Sequence, residues 1–190
     1  YVRSAAFADV TGDGVLNIVA ATYDRVQVLD AETGTKEWYF AVAGGIASVD
    51  VGDFDDDGVI DVTAGGTAET VGWPPNPGKT VWTIRTAQSP LLWEFQFGEY
   101  GNAVAVGDLN GDEYDDVVAV ASLGDRAWAI EGKTGTELWH WAGTDNLFAA
   151  TIGDFDGDGL GDVAVAGYDA TVTALKGSDG SIMWTFTTMT

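Results

Sequence analysis

One pattern occurs four times in this sequence: an acidic loop set between two short, alternating apolar segments. The loops begin at Asp9, Asp53, Asp108 and Asp154, at intervals of 44, 55 and 46 residues. A recurrence of that period requires a supersecondary unit repeated in an array, since one such unit cannot bury its apolar face alone. In the two clearest copies, "GDFDDDGVIDVTAGG" (52–66) and "GDFDGDGLGDVAVAG" (153–167), carboxylates crowd the mouth of a segment that otherwise reads as a strand.

Each unit has four parts. A first alternating segment ends in the acidic loop ("ASVDVGDFD", "NAVAVGDLN", "AATIGDFD") and a second follows it directly ("NIVAATY", "DVVAVASL", "DVAVAGY"). Their period of two and their β-branched residues predict strands. A third segment ("VQVLDAETG", "AWAIEGKTG", "VTALKGSDG") ends in a turn with Gly34, Gly135 or Gly180, and a fourth opens on Trp38, Trp93, Trp139 or Trp184. Four strands per repeat, joined by short Gly/Asp turns and without helical periodicity, predict an all-β chain: a β-propeller of four four-stranded antiparallel blades, spanning about 1–43, 44–98, 99–144 and 145–190. The phase leaves no split blade, so the expectation is a larger ring of roughly six to eight blades, completed by further blades of the same chain or by a second copy. Closure of four blades on themselves is the alternative.

The second repeat departs from the others. "TAETVGWPPNPGK" (67–79) lengthens its second-to-third connection, and Pro74, Pro75 and Pro77 make a rigid surface loop there. Ser89-Pro90 stands where the other repeats carry the turn glycine.

Composition narrows the partners. Thirty acidic against 8 basic residues give a formal charge of −22, which excludes a nucleic-acid-binding surface, disfavours anionic membranes and invites cations. Apolar runs such as "VVAVA" at 117–121 are far short of a membrane span. No cysteine is present, so neither a disulfide framework nor a thiolate metal site can form. The chain opens at Tyr1, with strand-like residues directly behind it and no signal segment, and is expected to be a piece of a longer protein.

The acidic loop reads as coordination chemistry. In D-x-D-x-D-G-x-x-D the side chains at one, three, five and nine turn inward and residue seven offers its carbonyl, which suits the six to eight oxygens that calcium takes; glycine at six permits the sharp turn. The second loop offers Asp53, Asp55, Asp57 and Asp61 with the carbonyl of Val59, and the fourth Asp154, Asp156, Asp158 and Asp162 with that of Leu160. The third offers Asp108, Asn110, Asp112 and Asp116 with the carbonyl of Tyr114, but Glu113 replaces the turn glycine and strains it. The first has Asp9, Thr11, Asp13 and Asn17 with the carbonyl of Val15, only two carboxylates among four side chains, and is the weakest. Up to four calcium ions are expected. An EF-hand begins similarly but closes with glutamate at twelve and continues as helix; here position twelve is Ala64 or Val165 and β-alternation follows.

These loops resemble the calcium loops of FG-GAP repeats, the blades of integrin α-subunit propellers, and of the related VCBS repeats of secreted microbial proteins. The stretches "VLDAETGTKEW" and "AIEGKTGTELW" resemble the tryptophan-docking motif of propellers similar to quinoprotein alcohol dehydrogenases. Together the two resemblances cover nearly the whole chain. They imply a propeller with calcium at inter-strand loops on one face and tryptophans packed between blades. They imply no reaction, because propellers host many functions. The vicinal cysteines of the quinoprotein active site have no counterpart here, so no quinone cofactor is expected.

Other features read as scaffold. A solvated acidic surface would not keep the loop spacing, and a two-carboxylate glycosidase site would need aspartates that are committed as ligands. The once-per-repeat tryptophans are expected between blades rather than as sugar platforms; Trp73, in the proline-rich insertion, is the better candidate for ligand contact. His140 lacks a serine or cysteine partner motif and reads as structural. The function expected is a calcium-binding extracellular or cell-surface module for adhesion, assembly or recognition of a protein or glycan ligand, with no membrane insertion and no catalysis in this segment. Two other readings stand beside it: the propeller portion of a secreted polysaccharide lyase or hydrolase, and a subunit of a surface filament or layer.

Overall fold

The computed structural model describes residues 2–42, 44–68, 80–85, 91–122 and 124–188. The insertion at 69–79 with Trp73, and Ser89-Pro90, lie outside the described residues.

Sixteen strands form four sheets, each built in sequence order. The first holds β1 (Ser4–Ala8), β2 (Asn17–Ala21), β3 (Arg25–Asp30) and β4 (Lys36–Ala41); the second β5 (Gly44–Gly52), β6 (Asp61–Ala68), β7 (Thr80–Ile84) and β8 (Trp93–Gln96). The third holds β9 (Tyr100–Gly107), β10 (Asp116–Ser122), β11 (Arg126–Ile130) and β12 (Glu137–Ala142); the fourth β13 (Leu147–Gly153), β14 (Asp162–Gly167), β15 (Thr171–Leu175) and β16 (Ile182–Thr187). Every pairing is antiparallel. All sixteen strands of the predicted blades are present.

The registers repeat with the sequence. The first and second strands meet at the loop ends, as Ala8 with Asn17, Gly52 with Asp61, Gly107 with Asp116 and Gly153 with Asp162. That pairing holds positions one and nine of each acidic loop side by side. The hairpin of third and fourth strands carries a bulge at the same place in three blades: at Leu29, Ile130 and Leu175, just before the turn. Gly34, Gly135 and Gly180 follow with φ near +70°, which is why these turns need glycine.

The core lies between sheets. Val19, Val28, Ile46, Val62 and Ile84 pack the first blade on the second. Phe54, Val81, Trp93, Val117 and Ile130 pack the second on the third, and Leu109, Val118, Trp139, Val163 and Leu175 the third on the fourth. The first strand of each blade lies against the blade before it, and no strand of the first blade packs on one of the fourth among the described residues. The four blades form an open arc.

The expected inter-blade placement holds for Trp93 and Trp139, both buried, and Trp38 packs half-buried on the first junction. Trp184 corrects it. It lies on the outer flank of the fourth blade and is 47% exposed.

Candidate metal sites in the blade loops

Four loops of one backbone shape hold the acidic side chains. The first residue organises each: Asp9 accepts from the amides of Gly12 at 2.7 Å, Asp13 at 3.2 Å and Gly14 at 2.7 Å, and Asp154 from those of Gly157, Asp158 and Gly159 at 2.7, 3.2 and 3.0 Å. Asp108 takes the amides of Asn110, Gly111 and Glu113, and Asp53 that of Gly58 at 3.0 Å. These amides hold the Asp9 carboxyl below the usual range, the Gly14 amide most of all. The fifth residue makes a second cap, accepting from the seventh: Asp13 from Val15, Asp57 from Val59, Asp112 from Tyr114 and Asp158 from Leu160, at 2.9 to 3.0 Å.

Curling the chain this tightly needs two left-handed residues. Position six is Gly14, Gly58 and Gly159 in three loops and Glu113, at φ 73°, in the third, the strain expected there. Position four is the one that sequence reasoning missed: Gly12, Gly111 and Gly157 in three loops, but Asp56 at φ 56° in the second.

The ninth residue ties the loop to the sheet. Asp116 accepts from Leu109 at 3.1 Å and from Gly132 at 3.0 Å, and Asp162 from Phe155 at 3.1 Å and Gly177 at 3.3 Å. Burial pushes the Asp116 carboxyl up to about 6 despite those amides. Asn17 differs. Its carbonyl oxygen accepts from Val10 at 2.9 Å, while its amide nitrogen cannot accept and donates to Glu37 at 3.0 Å; the Ala31 amide turns to the carbonyl of Leu16 instead.

The carboxylates converge in two loops. Oxygens of Asp53, Asp55 and Asp57 lie within 4.8 Å of one another, as do those of Asp154, Asp156 and Asp162. Asp61 and Asp158, expected in the same sets, lie outside these trios. No other trio of acidic side chains comes together among the described residues. In the first and third loops the third position is neutral: Thr11 donates to Asp9, and Asn110 bonds Asp112.

Two basic residues missed by sequence reasoning reach these trios. Arg85 pairs with Asp55, and Lys176 with Asp156 at 2.9 Å; the lysine lowers the Asp156 carboxyl. Each directly follows the third strand of its blade; the aligned residues are Asp30, the last of β3, and Glu131, just after β11. Aligning that position was the signal available. Asp115 was also missed. Its carboxylate accepts the Asp53 amide at 3.1 Å across the blade junction, and burial raises it; Asp50, half-buried on β5, is raised for the same reason. His140 is exposed and pairs with Glu137 at 2.7 Å.

The donors fit a hard cation. They are all oxygens, and in the second loop Asp53 Oδ1 and Asp55 Oδ1 are buried without a hydrogen-bond partner. Buried carboxylate oxygens left so are costly, and a cation ligated by both removes the cost.

Residues 108–165, from the third loop to the second strand of the fourth blade, match the model of the FG-GAP-like repeat. The resemblance read from the acidic loops is upheld by that match. Among solved structures the chain is similar to the Vibrio cholerae biofilm matrix protein Bap1, at 20% identity and a TM-score of 0.68 over 97% of this chain and 28% of that one. It is similar also to BBS1N, solved in complex with ARL6DN, at 12% identity and a TM-score of 0.73 over 98% of this chain and 57% of that one. A third is Sqt1 of Saccharomyces cerevisiae, at 14% identity and a TM-score of 0.73 over 99% and 51%. At such identities the likeness is one of fold, and the chain spans between about a quarter and three fifths of those proteins. No curated protein matches the sequence. No helix is long and apolar enough to cross a membrane among the described residues.

Proposed function

We propose that this chain is a calcium-binding β-propeller segment that works outside the cell or at its surface, in adhesion, matrix assembly or recognition of a protein or glycan. In this reading the segment itself is not catalytic. The observation that carries it is the second loop, where the trio of Asp53, Asp55 and Asp57 includes two buried carboxylate oxygens without partners. The fourth loop, with Asp154, Asp156 and Asp162, is its counterpart. Calcium prefers such flexible all-oxygen shells, whereas magnesium demands a tighter octahedron and keeps its waters. Asp61, Asp158 and the carbonyls of Val59 and Leu160 would complete the two shells. Asp108, Asn110, Asp112, Asp116 and the carbonyl of Tyr114 would form a third, and Asp9, Thr11, Asp13, Asn17 and the carbonyl of Val15 the weakest. Sites in extracellular modules fill at roughly 10⁻⁴ to 10⁻³ M calcium, a concentration met outside cells, which supports that location. The fold shared with a biofilm matrix protein supports the matrix reading.

Equilibrium dialysis tests the metal. At least two calcium ions per chain are expected at about 2 mM, with magnesium binding far less, and Asp53→Asn with Asp55→Asn should remove one ion. No binding at about 10 mM calcium would overturn the assignment. The adhesive role is tested by retention of the protein on immobilised polysaccharide and on intact cells, with calcium or with chelator. Retention indifferent to calcium on both surfaces would remove it.

A further inference from the structure

Two of the four acidic loops have aspartate at their third position, and in those two blades the residue at the end of the third strand is basic. Asp55 of the second loop pairs with Arg85, and Asp156 of the fourth with Lys176 at 2.9 Å. In the first and third loops the third position is neutral, Thr11 and Asn110, and the aligned residues are the acidic Asp30 and Glu131. A positive side chain therefore stands where the third position is charged, and a negative one where it is not.

The acidic residues serve the turn of their own blade. Asp30 accepts the Thr33 amide at 2.6 Å and its hydroxyl at 2.7 Å, and Glu131 accepts the hydroxyls of Thr134 and Thr136 at 2.5 and 3.0 Å. The fourth blade makes the same turn without such a cap. Lys176 N donates to Ser181 O at 2.8 Å and Gly180 N to Lys176 O at 2.9 Å, as Glu131 N does to Thr136 O and Gly135 N to Glu131 O. The Lys176 side chain, not used by the turn, reaches the loop instead.

There it meets the trio of Asp154, Asp156 and Asp162, whose oxygens lie within 4.8 Å of one another and repel. Asp156 Oδ2 accepts from the Lys176 ammonium and Oδ1 from the Asp158 amide at 3.2 Å, so both oxygens are engaged before an ion arrives. In the second loop Arg85 takes Asp55 Oδ2, while Oδ1 is buried without a partner. That pair is the more enclosed, with the Asp55 side chain 13% exposed against 32% for Asp156. A fixed unit charge about 6 Å from a divalent ion lowers its affinity about tenfold even at the dielectric constant of water.

We propose that Lys176 and Arg85 are built-in counter-ions of these two loops. Each offsets the crowded carboxylates while its loop is empty of calcium, and each lowers the affinity of that loop for calcium. This role rests on the loops being calcium sites. Its consequence is a fold that withstands loss of the ion, and a site held in the weak range of extracellular modules.

Calcium titration calorimetry, paired with melting curves in calcium and in chelator, tests the role. Lys176→Met should bind calcium about tenfold more tightly at one site. It should melt lower than the unmodified chain in chelator, and as high or higher in calcium. Lys176→Arg keeps the charge and should stay within about twofold of the unmodified affinity. Lys36→Met removes a charge from the first blade and should leave the affinity unchanged, because salt screens charges beyond about 8 Å. Arg85→Met should show the same reversal at the second loop, with the larger fall in chelator because its partner is the more buried. Calcium bound by Lys176→Met no more tightly than by the unmodified chain would overturn the counter-ion role and leave the calcium reading standing. So would a melting temperature lowered alike in calcium and in chelator, the mark of a purely structural ion pair, or an equal gain in affinity by Lys36→Met. Binding by none of these proteins at about 10 mM calcium would remove the calcium reading itself, and this role with it.

Discussion

The first and fourth loops share a backbone and differ in what they can hold. Asp9 and Asp154 each gather the amides of residues four, five and six, and Asp13 and Asp158 each cap residue seven. The loop shape therefore comes from positions one and five and from two left-handed glycines, before any ion is involved. Capacity for an ion is set elsewhere. The fourth loop has carboxylates at three and nine that meet Asp154, while the first has Thr11 and Asn17, whose amide is committed to Glu37. A repeat can thus keep its architecture while losing its ligand set.

The largest effect expected is that of chelation. Calcium at about 10 mM stands about 100 times above a Kd of about 10⁻⁴ M and adds about 2.7 kcal/mol per site, and for a chain of this size each 1 kcal/mol moves Tm by about 2–4 °C. With two or more sites filled, excess chelator should lower Tm by more than about 10 °C in a calorimetric scan. A melting curve indifferent to chelator would break the distinction between shape and capacity at its root.

Next comes the comparison itself. In chelator, Asp9→Ala and Asp154→Ala remove the same amide caps and should lower Tm by similar amounts. In calcium, Asp154→Ala also forfeits an ion and should fall further, by several degrees on the same conversion of about 2–4 °C per kcal/mol. Equal losses in calcium would show that the first loop holds an ion as well as the fourth.

A smaller effect sharpens the shape half. Glu113 occupies a left-handed position that glycine fills in the other three loops. Glu113→Gly should raise Tm by about 4 °C or less, with calcium or without, since the relieved strain is about 1 kcal/mol at most. A loss of stability would mean that the glutamate side chain contributes more than its backbone costs.

The smallest concerns pH. Burial raises the Asp50 carboxyl above its unfolded value, so the folded chain binds a proton that the unfolded chain has released between those two values. Its contribution to stability is full below the unfolded pKa of about 3.9 and declines as pH rises through the raised one. Asp50→Asn should flatten that part of the stability profile in chelator, measured by denaturant titration from pH 4 to 8. An unchanged slope would place the proton elsewhere, first at Asp116, whose carboxyl burial pushes up to about 6.

Much of this was legible in the residues because loop and strand are set by local offsets. Aspartate and glycine at fixed spacing dictate the curl, period-two alternation dictates the strands, and the register that pairs the residue before position one with position nine follows from both. Trp93 and Trp139 were legible as packing residues for the same reason. What escaped depends on neighbours. Trp184 carries the same local sequence signature as they do, but its burial depends on what packs against the outer flank of the fourth blade. Asp115 looks like one more surface carboxylate until the blade before it arrives with the Asp53 amide. Arg85 and Lys176 are each a lone basic residue at the end of a third strand, and only the curl of the loop brings Asp55 and Asp156 to them. Asp56 hid a strained position because a left-handed residue at position four is visible only where glycine marks it.

Diffraction from crystals grown in calcium, recorded at a wavelength where calcium scatters anomalously, tests the central claim most directly. Peaks are expected in the Asp53 and Asp154 loops, about 2.3–2.6 Å from the carboxylate oxygens of each trio, with a weaker one or none in the Asp9 loop. A folded protein with no peak in either the Asp53 or the Asp154 loop would contradict the assignment of these loops as calcium sites.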